Sequence, residues 1–516
     1  MKARILELKA EGLNPQEIMH VLKAEGLNTK QVKTDKMKLV DRAQWTIDNL
    51  DRIKSYANNP TKNTGWTEAD QPIQFLKACK DYTKYTEHMT RTQRLIESNK
   101  VLEDCGLEPK EVPEYKSHIS VDKDGTCSGI QIYSLMYRDS AAAYRVNVAP
   151  TPEPQDIYDD VADETLRIMT EYLQGNTTNM RGKVLENRPE ASRIDMEEWL
   201  KVGITRSETK RIVMCLTYGL TGKGIRDYSF EALEEVGREK FKDPSTAGLC
   251  FAAAVTAALD IAATSAVTGM HLAQRIARYM ARVSKKMIWT TPPGFKAIRT
   301  SQKMDEETIQ VVLSKMKSVE TTDGDRVQVA KTVKLETVVR TPARSKTGKL
   351  VHDSNAMSNA SAPDLIHSLD AALLMLTVEK SHQKGIKDLK LVHDSFGTHA
   401  ADIDALDLSL REAAYEMFGT RNYIKEWVCE VVGAKDWEEA KLIVNTEVED
   451  RYVKQPKALE KARSAKTPCI EKIAELEAKH TKAVSEAILK HGIKDSDVEL
   501  GDFKVSSIFD SEYFCS

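Results

Sequence analysis

The chain has 516 residues, 41% hydrophobic and 30% charged, which is the composition of a water-soluble globular protein with room for several subdomains. Its formal net charge of −3 excludes a protein drawn to nucleic acid by overall charge, so any such attraction must come from local patches. Eight scattered cysteines with no C-x-x-C pair exclude a disulfide frame or zinc site and suit reduced thiols in a cytosolic protein.

The opening "MKARILELKAEG" has no apolar run of signal-peptide type. "LKAEGLN" occurs at 8–14 and 22–28. Gly12 suits a helix end, and Asn14, Pro15 and Glu17 suit the cap and first turn of the next helix. An αα-hairpin is expected there; a DNA-reading helix-turn-helix would carry the same signals. Helical pattern continues to about residue 110. At 117–150 a short β-rich segment meets a turn at Gly125, and a helix follows. Residues 155–345 read as mainly helical, with a Pro-rich turn in "WTTPPGFKAI" (289–298) and a hairpin at 318–345 around Asp-Gly. The best membrane candidate, "FAAAVTAALDIAATSAVTGM" (251–270), carries Asp260 at its middle and reads as a buried Ala-rich helix, so no membrane is expected. "NAMSNASAP" (355–363) reads as a small polar loop, the chain after 400 as helical, and 457–492 as solvated helix.

"LVHDS" occurs twice, at 350–354 and 391–395. The second copy has strand pattern on both sides, so His393 and Asp394 fall near a hairpin tip, where a carboxylate can bind a metal ion. The first copy runs into small polar residues, so Asp353 reads as a turn or helix-capping residue. Asp124 in "VDKDGTCSG" is the best second carboxylate, because it too follows a β-like run and precedes a small-residue turn. Two such aspartates can hold two divalent ions about 3.5–4 Å apart, and magnesium takes its remaining ligands from phosphate and water. Asp122 shares a strand face with Asp124 and stays open as an alternative. In "TRSETKRIVMCLTYGLTGKG" (205–224), Arg206 and Lys210 stack at i,i+4, with Tyr218 expected on the same helical side. From Lys201 to Arg226 six basic residues and one acid make a local patch of +5. Such a face can grip a triphosphate and the sugar behind it, although a solvated basic helix has the same pattern.

Together these segments resemble the phage-type single-subunit RNA polymerases, a family that includes the mitochondrial enzymes. "DGTCSGIQIYSLMYRD" resembles the first palm motif, R-x3-K-x7-YG at 206–219 the fingers helix, and "HDSFGT" (393–398) the last palm motif. The resemblance implies an α+β, mainly helical fold, a right-hand polymerase palm and fingers with a small antiparallel palm sheet. Residues 1–116 would be the helical N-terminal part, 117–150 the palm with the first metal motif, and 151–345 the fingers with the hairpin at 318–345. Residues 346–400 would return to the palm with the second metal motif, and 401–516 would form a C-terminal palm or foot with a helical extension. Asp124 and Asp394, with the Gly125 carbonyl, would bind two magnesium ions. Arg206 and Lys210 would contact the triphosphate, with Lys210 also a proton donor to pyrophosphate. Tyr218 would close the nucleotide pocket and help choose ribose, His367 would lie near the 2′-hydroxyl, and Tyr158 beside the incoming nucleotide. The partners implied are a DNA template, nascent RNA and NTPs, and the setting is the cytoplasm of an infected bacterium.

The rival from the same residues is a family A DNA polymerase, which shares the R-x3-K-x7-YG helix. That family has "DYSQIE" for "DGTCSGIQ", an aromatic at the position of Met214, and His-Asp-Glu for His-Asp-Ser. The chain departs from the phage-type pattern in having only 123 residues before Asp124 and no D-x-x-G-R upstream of it. The N-terminal domain and thumb are therefore expected to be absent, and a second polypeptide is expected to supply them. A catalytically inactive, nucleic-acid-binding scaffold is the alternative. Lys223 stands where well-known members have an aromatic near the template, and the 318–345 hairpin falls where their promoter-reading loop would lie.

Overall fold

The computed structural model describes residues 39–515 apart from 70, 118, 347, 454–458 and 461–469. The helical hairpin expected at 8–28 lies outside the described residues. The chain divides into two compact units, Met1–Ile119 with Pro152–Pro154, and Ser120–Thr151 with Gln155–Ser516.

The first unit contains α1 (Leu39–Asp48), α2 (Leu50–Asn58) and α3 (Pro72–Asp104). Pro72 opens α3, where its missing N–H costs nothing. A small core of Ile53, Tyr56 and Cys79, flanked by Trp66 and Phe75, joins α2 to α3.

The second unit is α+β and mainly helical. It runs β1 (Ser120–Asp124), α4 (Ser128–Tyr137), α5 (Ser140–Arg145), α6 (Ile157–Leu173), α7 (Lys183–Asn187), α8 (Pro189–Val202), α9 (Arg206–Leu216), α10 (Gly222–Val236), α11 (Pro244–Ala262) and α12 (Thr264–Arg282). Then come β2 (Met287–Thr290), β3 (Lys296–Arg299), β4 (Met304–Glu320), β5 (Arg326–Pro342), α13 (Ser354–Gln383), β6 (Lys390–Val392) and β7 (Ser395–His399). It closes with α14 (Ile403–Phe418), α15 (Tyr423–Val432), α16 (Trp437–Tyr452) and α17 (Ile470–His491).

One sheet positions the site. Its order is β1–β7–β6 and both pairings are antiparallel. Helices α4, α12, α13 and α14 supply much of the apolar core behind it, from Ile130 and Tyr133 through Ile276 and Leu369 to Leu410. The Ala-rich stretch expected as one helix is two, broken at Ala263, where the Thr264 hydroxyl donates to the Asp260 carbonyl at 2.7 Å. Among the described residues α11 alone is long and apolar enough to cross a membrane, and most of it is buried within the protein.

Three local expectations are corrected. Residues 287–317, expected within a mainly helical stretch, are largely β-structure: the Pro-rich turn links β2 to β3, and the expected hairpin begins at Met304, not 318. The pairing of β4 with β5 runs without a break to the Thr321–Asp325 turn. Residues 355–363 are not a loop but the first turns of α13. Asp353 accepts from the Asn355 and Ala356 N–H groups, both at 2.9 Å, and starts the helix. The small residues that suggested a loop are what let Ser358, Ser361 and Ala362 be buried. Finally, α9 ends at Leu216, so Tyr218 lies in a turn beyond it rather than on the Arg206 face of the helix.

That turn is fixed by a close approach. Pro363 inside α13 cannot donate to the Asn359 carbonyl four residues back. A Cβ on Gly219 would sit 2.8 Å from that carbonyl oxygen, and Gly219 has φ +77°. Only glycine meets both conditions without strain.

Asp353→Ala should lower the unfolding free energy by about 1 kcal/mol, the usual worth of an N-cap, and Asp353→Asn should be nearly silent. Urea titration of both variants checks this.

Candidate active site

Asp124 ends β1 and pairs in register with Ser395, the residue after Asp394. Asp394 sits in the two-residue turn between β6 and β7, entered through His393 at φ 56°. The sheet thus brings together two acids 270 residues apart in sequence. Burial raises the pKa of Asp124, the charge of Asp394 raises it further, and a hydrogen bond from the Gly125 backbone opposes both. Two oxygen donors of like charge, one partly desolvated, fit a hard divalent cation, which would relieve their repulsion. Among the described residues no cluster of three or more His, Cys, Asp or Glu side chains forms a ready cage, so water and phosphate would complete the shell.

Asp122 does not compete. Its carboxylate pairs with Lys390 and accepts from Ser120 at 2.6 Å. It also covers Gly397, its register partner, where a side chain would collide with it. On the opposite strand face, Lys123 donates to Asp407 at 2.9 Å and to the Cys515 carbonyl at 3.2 Å. Gly125 forms an antiparallel bridge with Cys515, and Gln131 Nε2 donates to the Phe514 and Val146 carbonyls, each at 2.9 Å. The 514–515 segment is therefore built into the wall beside Asp124.

Helix α9 begins at a capping box, with Thr205 and Glu208 satisfying each other's ends. Arg206 is its first residue, at the positive end of the helix dipole. Its Nε donates to Asp156 at 2.8 Å, and its guanidinium lies 4.9 Å from the centroid of the Tyr158 ring. The side chain is still 38% exposed, which leaves guanidinium surface for an anion. Tyr158 is buried beneath it, and the Thr209 hydroxyl holds the Tyr158 carbonyl at 2.7 Å. Burial and the neighbouring Cys127 keep the Tyr158 hydroxyl protonated. Lys210, one turn along α9, is exposed and has no ion pair among the described residues.

Tyr218 is 39% exposed and packs against the exposed His367 ring, with centroids 4.8 Å apart. Its hydroxyl neighbours Ser128, next to the Asp124 loop; burial raises its pKa and the Ser128 side chain opposes the rise. Helix α13 carries Asp370 one turn after His367. Burial pushes the Asp370 carboxyl up to about 6, the charge of Asp394 adds to the rise, and His393 opposes it.

The site thus joins Asp124 to Asp394, Arg206 to Tyr158, and Tyr218 to His367, with Lys210 projecting beside Arg206. A family model described as DNA-dependent RNA polymerase matches residues 16–516. The chain belongs to this family. It is 27% identical over 404 residues to the DNA-directed RNA polymerase of Enterobacteria phage T3, covering 73% of this chain and 41% of that protein. It is 28% identical over 410 residues to T7 RNA polymerase of Escherichia phage T7, covering 74% and 41%. It is 29% identical over 401 residues to DNA-directed RNA polymerase 2, chloroplastic/mitochondrial, of Arabidopsis thaliana, covering 77% and 34%. The matched region is well under half the length of each of these relatives.

Sequence reasoning missed Asp156, Cys127, Asn147 and Asp370. Asp156 had a local signal, as the cap before α6, and Asp370 stands three residues from His367. Cys127 and Asn147 had none that a helix or strand pattern carries; the Asn147 partners Thr126 and Gln155 lie 21 and 8 residues away.

The folded state raises the Asp370 pKa, so this group adds stability that is complete below about pH 4 and is lost as pH rises through about 6. In the presence of chelator, Asp370→Asn should flatten the fall in unfolding free energy across that window. Urea titrations at several pH values measure the slope, and an unchanged slope would contradict the assignment.

Proposed function

We propose that this chain is the catalytic part of a DNA-directed RNA polymerase, extending RNA on a DNA template from NTPs. Its setting would be the cytoplasm of a phage-infected bacterium, where it would transcribe phage genes. The observation that carries this reading is the pairing of β1 with β7, which sets Asp124 beside Asp394 within a family of RNA polymerases. In this reading the β1–β7–β6 sheet with α4 and α14 is the palm, and α6 to β5 form the fingers.

Asp124 and Asp394 would hold two magnesium ions, assisted by the Gly125 carbonyl; when bound, these activate the RNA 3′-hydroxyl and offset charge on the leaving pyrophosphate. Arg206, oriented by Asp156 and Tyr158, binds the triphosphate. Lys210 adds a second cation and donates a proton to the departing pyrophosphate. Tyr218 and His367, packed ring against ring, would face the ribose from one side, and the Tyr218 hydroxyl supports selection of the 2′-hydroxyl. Most of the rate gain then comes from positioning and fixed charge. The β4–β5 ribbon is the element we assign to template or promoter contact. A separate second polypeptide gains no support from the relatives, each of which carries the matched region and its remaining length in one chain, and none is proposed.

RNA-primer extension on an RNA–DNA scaffold with magnesium tests the reading. Ribonucleotide extension is expected. Preference for dNTPs would favour a DNA polymerase, and no extension by folded protein would favour a scaffold role. Asp124→Asn and Asp394→Asn should each abolish extension with the fold retained. Tyr218→Phe should keep extension but relax discrimination against dNTPs by about tenfold, the worth of one hydrogen bond, as read from the ratio of kcat/KM values.

A further inference from the structure

We infer that Asn147 is a positioning residue that ties the Asp124 loop to the segment holding Arg206, and so sets the spacing between the acid pair and the triphosphate grip. This rests on the function proposed above. Asn147 is buried, at 2% exposure, just beyond the end of α5. Its Nδ2 donates to Thr126 Oγ1 at 3.1 Å and to the Gln155 carbonyl at 2.9 Å. Its Oδ1 accepts from the Gln155 N–H at 2.7 Å, and its own carbonyl accepts from the Ser511 hydroxyl at 2.7 Å.

Each partner has a place in the site. Thr126 is two residues past Asp124. Gln155 adjoins Asp156, whose carboxylate holds Arg206. One amide therefore reads both halves of the site, and every side-chain polar atom it has is engaged. The half-buried Cys127 thiol neighbours the Tyr158 hydroxyl beneath Arg206, and burial pushes that thiol up to about 11.

There is a plainer account. Asn147 has φ 59°, and asparagine tolerates this left-handed conformation at a helix end. The backbone bond from Val148 N–H to the Ala143 carbonyl, at 2.9 Å, closes α5 in that way. On that account the amide is incidental.

Glycine separates the two accounts, since Asn147→Gly keeps the left-handed backbone and removes only the amide. Asn147→Asp keeps the acceptor for the Gln155 N–H and loses both donations, to the Gln155 carbonyl and to Thr126, although the Thr126 hydroxyl can turn to donate to the new carboxylate. The assay is single-nucleotide extension on the RNA–DNA scaffold, with the matching NTP varied and folding checked by thermal unfolding. Asn147→Gly is expected to raise KM for the NTP about tenfold, a modest share of what misplacing a positioning group costs, and Asn147→Asp to fall between it and wild type. Combined with Arg206→Lys, the losses should be less than multiplicative, because both act on one contact. Combined with Lys210→Ala, they should multiply. Wild-type KM in Asn147→Gly, or multiplication with both partners, would overturn the inference. If Asn147→Gly does not fold, Asn147→Asp carries the same cycle. A wild-type chain that extends nothing would instead defeat the functional reading itself, and this inference with it.

Discussion

Two like charges, one at the end of β1 and one in the adjoining β6–β7 turn, are the constraint on which this site depends. Bringing the Asp394 charge close to a partly buried Asp124 is unfavourable without a counterion, and the raised pKa of Asp124 records that cost. The β1–β7 pairing keeps them there, and much of the surrounding polar structure keeps that pairing intact. Asp122 is drawn off to Lys390, so a third carboxylate on the same strand face does not add to the repulsion. Lys123 is drawn to the other side by Asp407 and the Cys515 carbonyl, so it does not neutralise the pair internally. The negative charge is left concentrated and available to a cation.

The cationic half of the site is built in the opposite manner. Arg206 is not left to solvent but is seated between the Asp156 carboxylate and the Tyr158 ring. A guanidinium fixed from one side keeps its remaining donors in a defined direction, which a free lysine does not. Lys210 lacks such support and suits a role that needs reach, such as meeting a leaving group. Acid pair and arginine stand on different segments, and Asn147 hydrogen-bonds Thr126 beside the one and Gln155 beside the other.

Legibility followed sequence distance. Asp394 was readable because strand, tip and strand are contiguous, and the capping role of Asp353 was readable because its partners are the next residues. The α9 start was legible for the same reason, through Thr205 and Glu208. Residues 355–363 were misread because Ser, Ala and Asn favour a loop when exposed, and only burial turns them into a close-packed helical face. The hairpin strands were read short because polar residues at 305–310 interrupt the pattern without interrupting the pairing. Asn147 carried no signal, since its partners Thr126, Gln155 and Ser511 stand in three separate segments outside any regular element pattern.

The turn after α9 shows how a distant constraint reaches the site. By helical periodicity alone Tyr218 would share a face with Arg206. It is removed from that face because α9 stops and Gly219 packs on α13, at the carbonyl that Pro363 leaves without a helical partner. A proline costs a helix one hydrogen bond and permits a close approach at the freed carbonyl. Here that approach delivers Tyr218 to His367, one turn further along the same helix. Asp370 follows on that helix and lies within the field of Asp394. Helix α13 therefore carries the ring that meets Tyr218, the carboxyl that feels the acid pair, and the irregularity that positions the turn. A change in the seating of α13 would be felt at the Tyr218–His367 contact and at Asp370 beside Asp394 together, whereas Arg206 is seated by Asp156 and Tyr158 on α6 and its cap.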